Sequence, residues 1–88
     1  MSVGNKIKSA MVVKNKNRQD LAAALNVTDN AITAKFYRDS FSAEDLIKIA
    51  DCLGYSLDFS SNDSRITFNL DDIKAGEQYA STSIRGLF

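Results

Sequence analysis

The sequence has no histidine, no proline and no tryptophan, and a single cysteine, Cys52. Without histidine, one chain cannot assemble a Ser-His-Asp triad, a Cys-His dyad or a Cys/His zinc site. One cysteine closes no internal disulfide, so nothing asks for an oxidising compartment and a cytoplasmic protein is expected. The four glycines, Gly4, Gly54, Gly76 and Gly86, stand too far apart for a GxxxxGK[ST] phosphate loop or a GxGxxG fingerprint. No apolar run approaches the length of a membrane span, and no signal-peptide core is expected. The paired carboxylates Glu44-Asp45 and Asp71-Asp72 are sequence neighbours, which diverge on a helix and more often serve its dipole than acid–base chemistry. Neither enzymatic activity nor a cofactor or metal is expected.

What is present suits one small globular domain. The 88 residues are 44% hydrophobic and 25% charged, with eleven basic and eleven acidic groups. The zero balance conceals a segregation. Residues 1–38 carry seven basic groups (Lys6, Lys8, Lys14, Lys16, Arg18, Lys35, Arg38) against Asp20 and Asp29, whereas residues 39–88 carry nine acidic groups against four basic ones. Such asymmetry hints at a nucleic-acid face on the first half.

The first 55 residues read as helical. Ile7, Ala10 and Met11 follow the i, i+3, i+4 rule, predicting a helix over 4–14, and Asn15-Lys16-Asn17 interrupts it. Asn17 is a good N-cap for a short second helix with Leu21, Ala22 and Leu25 on its apolar side. Asn26 suits the left-handed position that ends it. Thr28 caps a third helix, 28–38, with Ile32 and Phe36 on one face and Asn30, Thr33, Ala34 and Tyr37 roughly opposite. Ser42 begins a fourth, with Asp45 where a capping box favours Glu or Gln. Leu46, Ile49, Ala50 and Leu53 form its stripe, Cys52 fills space beside it, and Gly54 ends it. After Gly54 the period becomes two: Leu57 and Phe59, then Ile66, Phe68 and Leu70, separated by Ser61-Asn62-Asp63-Ser64, which predicts a β-hairpin. The organisation expected is a helical domain over 1–55, a hairpin over 56–70 packed on it, and a short turn or helix with a mobile tail over 71–88.

Two short helices joined at Leu25-Asn26-Val27-Thr28 and buttressed on both sides make the scaffold of a helix-turn-helix. Over residues 7–59 the chain resembles the phage-repressor (Cro/CI, XRE-type) helix-turn-helix family. The run NRQDLAAALNVTDNAITAKF carries the cap at Asn17, the packing pair Leu21-Ala22 and the turn exit Val27-Thr28. SAEDLIKIADCLGYSLD carries the closing signature Leu53-Gly54-Tyr55-Ser56-Leu57-Asp58. Two positions depart from the pattern: Asn26 replaces the turn glycine, and Arg18 stands where glutamine is common, with Gln19 one place on. The resemblance implies a mostly α, lambda-repressor-like domain of four to five helices followed by a C-terminal β-hairpin.

It also implies a sequence-specific regulator that binds double-stranded DNA, a repressor of phage or mobile-element type, inserting helix 28–38 into the major groove. Asp29, Asn30, Thr33 and Ala34 then face base edges: Asn pairs bidentately with adenine, Thr meets thymine or bonds, and Asp accepts from cytosine. Lys16, Asn17, Arg18, Gln19, Thr28, Lys35, Tyr37 and Arg38 are placed to hold phosphates. Capping alone already accounts for Asn17, Asn26 and Thr28. Because such modules commonly span two half-sites as dimers, the hairpin face Leu57, Phe59, Ile66, Phe68 and Leu70 is the expected homodimer surface, unless it only seals the core. The alternative function is a helix-turn-helix module that binds a protein partner, such as an antitoxin or a phage or mobile-element nuclease inhibitor. The acidic second half favours that alternative, and the basic first half favours DNA.

Overall fold

A computed structural model describes residues 2–73. Four helices, α1 (Val3–Lys14), α2 (Arg18–Leu25), α3 (Asp29–Arg38) and α4 (Ala43–Leu53), precede two strands, β1 (Leu57–Ser60) and β2 (Arg65–Phe68). Residues 70–73 add one helical turn, so Leu70, expected on the hairpin face, instead begins this turn beside Ala23 and Ala24 of α2 and Lys48 and Cys52 of α4. The expected tail from residue 74 onward lies outside the described residues.

Each helix is bounded by chemistry written in its ends. Ser2 Oγ accepts the Asn5 N–H at 3.0 Å, and Thr28 Oγ1 accepts the Ala31 N–H at 3.1 Å. Asn17 with Asp20 and Ser42 with Asp45 form full capping boxes, so the shorter aspartate serves where glutamate is usual. The C-termini share one device. Asn15, Asn26, Asp39 and Gly54 all adopt positive φ, at 56°, 57°, 55° and 77°. The next residue then donates back into the last turn: Lys16 to Met11, Val27 to Ala22, Ser40 to Lys35 and Tyr55 to Ala50, at 2.9–3.0 Å. The expectation for Asn26 and Gly54 holds, while Asn15, expected only to interrupt the pattern, is a C-cap as well, and so is Asp39.

The core gathers Ile7 and Met11 of α1, Leu21, Ala22 and Leu25 of α2, Ile32 of α3, and Ile49 and Leu53 of α4. Leu21 and Ile32, on the two helices of the helix-turn-helix, are wholly buried. α2 packs on both α3 and α4, and α1 and β1 rest on α4. Phe36 and Phe41 meet edge to face at the border, 5.2 Å between centroids. Cys52 is half-buried against the core, as a filler would be. Ile47, outside the expected α4 stripe, is buried too, because α4 receives neighbours on more than one side.

The hairpin pairs Leu57 with Phe68, Asp58 with Thr67, Phe59 with Ile66 and Ser60 with Arg65. Directly paired residues share a face, so Leu57, Phe59, Ile66 and Phe68 lie together as the alternation predicts. Only the near half meets the helices. Leu57 and Phe68 are half-buried, whereas Phe59 is 69% and Ile66 59% exposed. The face therefore does not cover the core along its length, and β1 is the strand that rests on α4.

Candidate nucleic-acid interface

The interface begins with the α2–α3 turn. Asn26 in the left-handed region reverses the chain, Val27 anchors it against the core, and Thr28 starts α3. Ile32 and Phe36 fix the inner face of α3. At 100° per residue the opposite face presents Asn30, Thr33, Ala34 and Tyr37. Asn30 and Thr33 are exposed, Ala34 is half-buried, and Tyr37 stands 90% exposed. Asp29 is exposed at the helix entrance. All four expected base-reading residues are thus on α3, three of them exposed, and Tyr37 extends their row by a turn.

The expected phosphate contacts divide into three groups. Lys16, Arg18 and Gln19 are exposed around the start of α2, and Arg38 is exposed in the last turn of α3. Among the described residues, none of Lys16, Arg18 and Arg38 has an ion-pair partner. Asn17 and Thr28 have their side-chain oxygens committed to the Asp20 and Ala31 amides, which leaves capping as their visible side-chain role. Lys35 is different. Its Nζ lies 2.8 Å from Asp45 Oδ2 in a partly buried pair. The same carboxylate oxygen accepts the Ser42 N–H at 3.0 Å. Lys35, expected at a phosphate, thus also has an internal partner that ties α3 to the start of α4. Burial pushes the Asp45 carboxyl up, but the Lys35 bond and charge and the Ser42 amide outweigh it, holding the group below the usual carboxylate range.

A second tie holds the other end of α3. Asp39, in the left-handed position, turns its Oδ1 onto the Gly4 N–H at 2.6 Å, joining the last turn of α3 to the first turn of α1. A Cβ at Gly4 would stand 3.1 Å from that oxygen and 3.4 Å from the Phe36 ring, so a side chain there would press the Asp39 carboxylate back by a few tenths of an ångström. Sequence reasoning passed over both Asp39 and Asp45 as functional residues. Asp45 carried one signal, its capping-box position; the Asp39 contact spans 35 residues and leaves no local trace.

Among the described residues there is no cluster of three or more His, Cys, Asp or Glu side chains suited to a metal, and no helix long and apolar enough to cross a membrane. Helix α3 thus presents a polar row with cations nearby that have no carboxylate partner among the described residues, which is an arrangement for binding a polyanion. Comparison with curated proteins and with solved structures returns no match. Comparison with protein families returns the bacteriophage CI repressor helix-turn-helix domain, a DNA-binding regulator family, over residues 4–59. That match runs from the glycine held by Asp39 through the four helices into β1, well over half of the sequence, and the chain belongs to this family.

Proposed function

We propose that the protein is a cytoplasmic repressor of phage or mobile-element type that recognises one double-stranded DNA sequence by placing α3 in the major groove, and that it binds without catalysing a reaction. The observation that carries this is the exposed polar face of α3 bordered by Lys16, Arg18 and Arg38. Asn30 is suited to a bidentate bond with adenine, Thr33 and Ala34 to thymine or its methyl, and Asp29 to cytosine N4. Lys16, Arg18, Gln19, Tyr37 and Arg38, with the amides beginning α2 and α3, hold the backbone and set the register. Leu57, Phe59, Ile66 and Phe68 join two copies, so that two reading helices reach half-sites about 34 Å apart. The exposure of Phe59 and Ile66 supports that role, because a second copy would cover what the helices leave open.

Selection of bound duplexes from a random pool tests the reading. The expected product is one sequence with two related half-sites, and Asn30→Ala should erase the preference at one position per half-site, worth about 1–3 kcal/mol. Recovery of sequences without preference, or of none, would remove the assignment and leave the helix-turn-helix as a platform for a protein partner. Light scattering that finds monomer alone at high micromolar concentration would remove the dimer.

A further inference from the structure

Among the described residues, one cation of α1, Lys8, stands beside α3 with no carboxylate to hold it there. α1 is pinned to α3 at Gly4 by the Asp39 bond. One turn further along the same face, Lys8 places its Nζ over the Phe36 ring, 5.6 Å from the centroid. Another turn on, Met11 is buried. This packing leaves a cleft of about 340 Å³ lined by Lys8, Met11, Arg18, Thr33, Phe36 and Tyr37. Its residues come from three helices. Met11 and Phe36 give it an apolar floor, and among the described residues no carboxylate lines it. Lys8 and Arg18 supply two positive charges, neither ion-paired among the described residues. Tyr37 adds a hydroxyl donor on an almost wholly exposed side chain.

We propose that this cleft seats a backbone phosphate of duplex DNA, with Lys8 as a contact that lies outside the helix-turn-helix itself. The proposal rests on the DNA-binding reading above and deepens it. Position identifies the ligand as a duplex and not a free anion, since Thr33 and Tyr37 belong at once to the cleft and to the outward face of α3. A duplex lying against that face runs its backbone along the cleft. The apolar floor keeps water from one side of the phosphate, which strengthens its attraction to the two cations.

Counterion release gives a direct test, because removing a cation that neutralises one phosphate makes the slope of log K against log salt shallower by about 0.9. Binding of the full chain to a mixed-sequence duplex is measured over a salt series for wild type, Lys8→Ala, Lys8→Arg and Lys14→Ala. Lys14 is the control, since its Nζ sits 4.9 Å from the Tyr55 ring centroid, away from the cleft. Lys8→Ala should flatten the slope by about one unit, while Lys8→Arg and Lys14→Ala keep the wild-type slope. Thermal unfolding of each variant confirms that the protein being titrated is folded. A wild type that binds with a salt-dependent slope which Lys8→Ala leaves unchanged overturns the Lys8 assignment alone. A wild type that ignores duplex DNA at low salt overturns both this assignment and the reading beneath it.

Discussion

The α2–α3 pair and the hairpin are both built from apolar residues in regular periods, yet they end in opposite environments. Leu21 and Ile32 are fully enclosed; Phe59 and Ile66, at equally regular positions, are mostly in water. Periodicity states which side chains share a face. It does not state whether the fold places anything opposite that face. For α2 and α3 the turn at Asn26 makes the two inner faces meet, so local pattern and tertiary burial coincide. Of the hairpin's four-residue strands, only the start of β1 and the end of β2, which pair with each other, find cover.

The largest effect that sharpens this contrast is Leu21→Ala, which should cost about 2–5 kcal/mol in urea unfolding, because the site is walled by neighbours that relax only in part. A cost below about 1 kcal/mol would mean that α2 is not the keystone its burial suggests. Asn26→Val should cost about 1–2 kcal/mol, since a β-branched residue resists the left-handed conformation, whereas Asn26→Gly should be near neutral. Equal losses for the two would show that the turn does not depend on that backbone state.

Acid unfolding probes the tie between α3 and α4. The Asp45 carboxyl is depressed by folding, so its contribution is complete above the ordinary carboxylate range and disappears as pH falls through the folded-state value, which lies below 3.8. Lys35→Met should therefore make stability less steep in pH below about 4, with little change in that slope near neutrality. An unchanged acid limb would show that the pair contributes nothing. Phe59→Ser is the smallest expected change, about 0.5–1.5 kcal/mol for the monomer, from its edge-to-face contact with Phe68 at 4.9 Å. A much larger loss that depends on protein concentration would be the mark of a second copy on that face.

The fold was legible wherever a residue's role depends on its near neighbours in the chain. Asn17, Thr28 and Ser42 announce helix starts, Asn26 and Gly54 announce stops, and Leu57 to Phe68 announce a hairpin. The outward face of α3 was legible for the same reason, because Ile32 and Phe36 define its inside. Asp39, Lys35 and Lys8 were not, since each acquires its place from a residue on another helix. Lys35 reads as a surface cation until Asp45 is brought to it, and Lys8 as an ordinary α1 lysine until the Gly4 contact sets it over Phe36. The hairpin's exposure was hidden for a related reason: alternation fixes a face without fixing its cover.

The bond between Gly4 and Asp39 also makes one backbone proton a reporter. A short amide-to-carboxylate hydrogen bond shifts its proton strongly downfield and shields it from solvent exchange. The Gly4 amide resonance is thus a spectroscopic gauge of how firmly the end of α3 is seated. Any variant or ligand that loosens the reading helix from α1 should register there, at the other end of the helix-turn-helix, as an upfield movement and faster exchange.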